Sequence, residues 1–154
     1  MSTRFTFLII FFLHTSLCLA WTQEPVSNNT PLLIISNSLK LKSLSRKDII
    51  NLFLAKSKKA HNTRVTAFLR TPYDSSLNNL FLKDYLKMSQ RKFEKYWFTE
   101  SVKGGAEELE GIESIEQLLN LSKKSKNLIT YISSSEFDLI PNDIKELYSI
   151  ISVN

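Results

Sequence analysis

Residues 65–81 read VTAFLRTPYDSSLNNLF. The first five alternate: Val65, Ala67 and Leu69 share one face of an extended segment, and Thr66 and Phe68 share the other. The alternation stops at Arg70. Thr71 to Ser76 are mostly turn and capping types, with Asp74 or Ser75 placed to cap a helix. Leu77, Leu80, Phe81 and Tyr85 then recur at helical spacing as one apolar stripe, with Asp84 beside them. A strand running through a polar turn into a helix is the building unit of α/β layer proteins.

The pattern continues in both directions. Upstream, the unbroken run Leu32, Leu33, Ile34, Ile35 predicts a strand buried on both faces. Ser45 opens a helix, with Asp48 placing a negative charge in the first turn and Ile49, Leu52, Phe53 and Lys56 continuing it. Residues 57–63 read as a polar loop. Downstream, Ser89 restarts a helix anchored by Phe93, Tyr96 and Trp97, and Gly104 and Gly105 break it. Ser114 starts another helix, carrying Ile115, Leu118, Leu119 and Leu121. Leu128–Ile132 is a third strand. Residues 133–143 read as a loop, and Ile144–Val153 as either a final strand or a short helix, with strand favoured. Helices are expected on both faces of the sheet.

The N-terminus has one cation, Arg4, before an apolar stretch from Phe5 to Leu13 that Leu17 and Leu19 extend. Small residues, Cys18 and Ala20, close it. This is the form of a secretory signal, with cleavage expected after Ala20. The stretch is short of the roughly 20 residues needed to span a bilayer. Residues 21–31 are mostly polar and read as a flexible leader. Residues 32–154 are then one domain, long enough for one core and not for two. Cleavage would remove the only cysteine, so stability rests on packing. The formal charge of the whole chain is +5. That excess favours anionic partners without naming one. The Lys56, Lys58, Lys59 and Lys123, Lys124, Lys126 clusters read either as a basic surface or as solvated helix ends. No aromatic–basic motif supports nucleic-acid binding.

Nothing here reads as an enzyme. His61 is the only histidine after the signal and lies in the polar loop. No nucleophile elbow, metal-ligand spacing or nucleotide-binding glycine loop is present, so no metal or cofactor is expected. Phe81, Tyr96, Trp97 and Phe98 sit at helical spacing and read as core rather than as an aromatic ligand pocket.

The order of these elements resembles the phosphate-binding proteins of ABC transporters, especially short single-domain members of that periplasmic binding protein-like family. Leu44, Ser45, Asp48, Ile49, Leu52, Phe53, Leu54, Ala55 and Lys56 match the family's Leu-Ser helix ending in Ile-Phe-x-Gly-Lys. Val65–Arg70 and Asp74–Phe81 match its strand, polar turn and helix. Tyr96, Trp97 and Phe98, with Gly104 and Gly105 beyond, match its Tyr-Trp helix and glycine turn. Ile129, Thr130, Tyr131 and Ile132 match its Ile-Gly-Tyr strand. Ala55 and Thr130 stand where the family has glycine. The resemblance spans about residues 32–153. It implies a single lobe of a periplasmic binding protein-like α/β fold, a small mixed sheet flanked by helices. It implies export, to the periplasm if the source is Gram-negative.

The family holds phosphate with an arginine and a Ser-Gly-Thr turn opening a helix. Carried over, Arg70 supplies the charge, and Ser75 and Ser76 the hydroxyl donors, for phosphate or a similar oxyanion. The family glycine is missing and Asp74 adds a negative charge. On the residues alone two readings stand. In one, Arg70, Ser75 and Ser76 grip an anion at a helix entrance. In the other, Asp74 or Ser75 merely caps the helix and Arg70 pairs with Asp74 or with solvent. The corresponding functions are an oxyanion-binding domain serving a membrane transporter or envelope partner, and a ligand-free protein-interaction or sensory module.

Overall fold

The computed structural model describes residues 31–72 and 75–154. The expected signal peptide, nearly all of the leader, and Tyr73 and Asp74 lie outside the described residues.

The central sheet is built from β1 (Leu32–Ser36), β5 (Thr66–Ala67), β8 (Leu128–Ser133) and β9 (Ser149–Ile150) in the order β5-β8-β1-β9. β5 runs parallel to β8, while β1 is antiparallel to both β8 and β9. Beyond β5 the chain leans to its other side, where β6 (Leu69–Arg70) pairs in parallel with β7 (Gly111–Ile112). The sheet is mixed, as expected. All six residues of β8 are buried, because both of its faces are covered. Ile129 and Tyr131 face one core with Ile34, Phe53, Phe81, Phe93 and Trp97. Leu128 and Ile132 face the other with Ile35, Phe68, Leu118 and Tyr148. Two-sided burial is why these strands read as continuous apolar runs instead of alternating ones.

The helices begin where the capping residues predicted. Ser45 caps α1 (Arg46–Phe53) in a full capping box with Asp48. Ser75 caps α2 (Ser76–Phe81), Ser89 caps α3 (Gln90–Val102) and Ser114 caps α4 (Ile115–Lys124). The Ser45 hydroxyl also donates to Asp48 at 2.6 Å, and this bond, the largest cause, holds the Asp48 carboxyl below its ordinary range. A depressed carboxyl stabilises the fold above its unfolded pKa, and that contribution fades as pH falls through the folded value. Ser45→Ala should cost about 1 kcal/mol at neutral pH. The loss should shrink toward strongly acid pH, checked by urea unfolding across the acid range.

Four expectations need correction. Residues 57–63 are not simply a loop: β3 (Lys59–Ala60) and β4 (Thr63–Arg64) form a hairpin. His61 and Asn62 turn it with φ of 46° and 63°, the positive angles that a tight hairpin requires. The helix after α2 continues as a π-helical turn, Leu82–Leu86, which buries both Leu82 and Leu86. Residues 133–143 hold two short helices, α5 (Ser134–Asp138) and α6 (Asn142–Lys145). The segment expected as a final strand opens inside α6 and becomes strand only at β9 and β10 (Ser152–Val153), where β10 pairs with β2 (Ser43–Leu44). Ala55, in the family's glycine position, takes a left-handed φ of 50°, a conformation that costs a Cβ-bearing residue about 1–2 kcal/mol.

Lys123 and Lys124 lie in the last turn of α4, where cations complement the helix dipole. Of the aromatic group, Phe81 and Trp97 are core and Tyr96 packs against it, but Phe98 is exposed.

Candidate anion-binding site

Arg70 ends β6 as the chain enters the turn to α2. Its backbone N–H donates to the Tyr131 hydroxyl at 3.1 Å. That hydroxyl in turn donates to Oδ1 of the buried Asn78. Strand, helix and β8 are therefore bolted together beneath this corner. The arginine is only 6% exposed. Burying a guanidinium is costly unless its charge and donors are met.

One arm is met. Arg70 Nη2 donates to Glu136 Oε1 at 2.6 Å. Glu136 is held for this role by a second capping box. The Ser133 backbone N–H donates to Oε2 at 2.9 Å, and the Glu136 N–H donates to Ser133 Oγ at 3.1 Å. One carboxylate oxygen thus serves the α5 entrance and the other the arginine.

The other arm is not met. Nε and Nη1 of Arg70, both buried, have no hydrogen-bond partner among the described residues, and neither has Oγ1 of Thr71. Arg70 lines a cavity of about 140 Å³ together with Thr71, Ser75, Ser76, Ser133 and Glu136. The volume is well under the roughly 300–1,000 Å³ of sites for larger organic ligands. It suits a small ion. Ser75 Oγ accepts the Asn78 backbone N–H at 3.1 Å, which orients it as a cap and leaves its proton free to be donated.

Arg70, Ser75 and Ser76, chosen from the sequence, are brought to one cavity. Among the described residues the partner of Arg70 is one that sequence reading did not name: Glu136, 66 residues away. Asp74 lies outside the described residues. Sequence reading missed Glu136 and Ser133, although Ser-x-x-Glu is a capping-box signature. The serine run and Pro141 made the segment read as loop. Nothing local marked Tyr131 or Asn78 as supports.

Solved structures share this arrangement of elements. The chain has the fold of one lobe of a periplasmic binding protein. PstS from Borrelia burgdorferi superposes with a TM-score of 0.56 at 14% identity, over 81% of this chain and 47% of that one. A phosphate ABC transporter substrate-binding protein from Clostridium perfringens, solved with bound phosphate, gives 0.52 at 13% identity, over 80% and 45%. The chain therefore spans about half the length of these neighbours. No protein-family model matches the sequence, and no curated protein matches it. No helix among the described residues is long and apolar enough to cross a membrane.

Proposed function

We propose that this chain is an exported domain that binds phosphate or a similar small oxyanion, serving a membrane transporter or another envelope partner. The observation that carries the reading is the buried Arg70 guanidinium, with two donor nitrogens unpartnered among the described residues beside a cavity of ionic size. A small oxyanion would accept a charge-assisted hydrogen bond from Nε or Nη1, which lie on different edges of the guanidinium; Nη2, the nitrogen common to both edges, is held by Glu136. Ser75 and Ser76 would donate from the α2 entrance. Glu136 neutralises part of the guanidinium charge and fixes its plane. It also faces the incoming anion, which favours an ion that carries a proton of its own.

Titration calorimetry with inorganic phosphate and with sulfate tests this. Saturable heat that diminishes as salt is added is expected, and stronger for phosphate. No heat with either ion at millimolar concentration would overturn oxyanion binding and leave a protein-interaction module.

A further inference from the structure

Helix α3 carries its charges against its own dipole. A helix N-terminus favours acidic neighbours and a C-terminus favours basic ones. α4 obeys this at both ends, with Glu116 in its first turn and Lys123 and Lys124 in its last, and α1 and α5 carry an acid in the first turn. α3 has no acid in its first turn and no base in its last. Arg91 and Lys92 stand at its start and Glu100 near its end.

The inversion extends into the surroundings. At the N-terminal pole, Lys83, Lys87, Arg91 and Lys92 line an open depression of about 700 Å³ with no carboxylate among the described residues of its wall. All four are exposed, and none forms an ion pair among the described residues. The far pole is about 20 Å away, from the rise of a 13-residue helix. There Glu107 and Glu108 border a second open depression, with Trp97 and Phe98, that reaches back along the helix to Glu94. The one cation at that end, Lys103, is paired with Glu100 at 3.8 Å. The imbalance runs through the chain: residues 31–93 hold 13 Lys and Arg against 3 Asp and Glu, and residues 94–154 hold 6 against 11.

Between the poles lies an uncovered face. Arg91, Lys95, Phe98 and Val102 fall at helical spacing on the side opposite the buried Phe93 and Trp97. Phe98 and Val102 are each 71% exposed.

We propose that this face of α3 is the contact surface of a two-fold homodimer, with the two helices packed antiparallel. That arrangement lays the cationic pole of each copy on the carboxylates of the other, twice over, as a closed two-fold contact requires. It places Phe98 of one copy against the aliphatic stem of Lys95 in the other, and covers both valines. A second copy fits better than an anionic membrane. A bilayer would complement the cationic pole only, and would repel Glu107 and Glu108.

Sedimentation velocity on the purified protein tests the pairing. A concentration-dependent dimer is expected, weakened by salt. R91E/K92E and E107K/E108K should each weaken dimerisation about tenfold or more, and so should Phe98→Ser. An equimolar mixture of the two charge-reversed variants should dimerise again, because each then meets its complement at both contacts. Circular dichroism should show all variants folded. A wild-type protein that stays monomeric at every concentration and salt would overturn the proposal. So would association growing past two copies, a mixture that fails to recover, or binding to phosphatidylglycerol vesicles by a protein that never dimerises.

Discussion

Arg70→Met protein, titrated with inorganic phosphate, is expected to give no saturable heat while remaining folded. The substitution keeps most of the apolar stem and removes the two unpartnered nitrogens and the charge. Hydrogen bonds from a charged group contribute about 1.5–3 kcal/mol each. Losing one such bond and the charge behind it should weaken binding by a factor of about a hundred or more. The same substitution strands Glu136, whose side chain is 26% exposed. Water reaches that carboxylate, so the penalty stays below the several kcal/mol of a fully buried orphan. Arg70→Met/Glu136→Gln removes the stranded charge and should recover stability without recovering binding. Arg70→Lys separates charge from geometry: it retains the cation, loses the planar spread of donors that reaches Glu136 and the cavity at once, and should bind weakly if at all. Full phosphate heat from Arg70→Met would place binding elsewhere on the protein.

Phe81→Ala is expected to cost about 3–5 kcal/mol of unfolding free energy, measured by urea denaturation. Phe81 is fully buried. Its ring stacks on Tyr131 with centroids 3.8 Å apart and meets Phe53 edge-on at 4.7 Å. These three rings join α1, α2 and β8, so the cavity left by truncation would open at the crossing of three elements and could not collapse easily. Against a typical domain stability of about 5–15 kcal/mol, this is a large share. Tyr131→Phe keeps the stack and removes only the hydroxyl that joins Arg70 to Asn78. It should cost about 1–3 kcal/mol. A loss for Phe81→Ala no larger than that for Tyr131→Phe would mean that the ring cluster is not the centre of the core.

The capping serines were legible because a cap acts within four residues. Ser45, Ser75, Ser89 and Ser114 announce their helices wherever the chain goes. The apolar runs of β1 and β8 were legible because burial on both faces leaves no polar position to break them. The hairpin at residues 59–64 was not. Its two-residue strands carry lysine, arginine and threonine, and what fixes them is a pair of positive φ angles. The π-helical turn after Phe81 keeps helical spacing to the eye, and its shifted register shows only in the backbone.

Sequence alone determined the strands at 32–36 and 128–133 and the starts of α1 to α4, and it offered three residue types suited to an oxyanion. Those are decided by contacts within a turn or two of the chain. Tertiary structure alone decided that Arg70 is buried, that its partner is Glu136, and that two of its nitrogens are left over beside a small cavity. It also decided that α3 turns Phe98 and Val102 outward. Each of these depends on surfaces meeting across dozens of residues, where no local spacing carries the information.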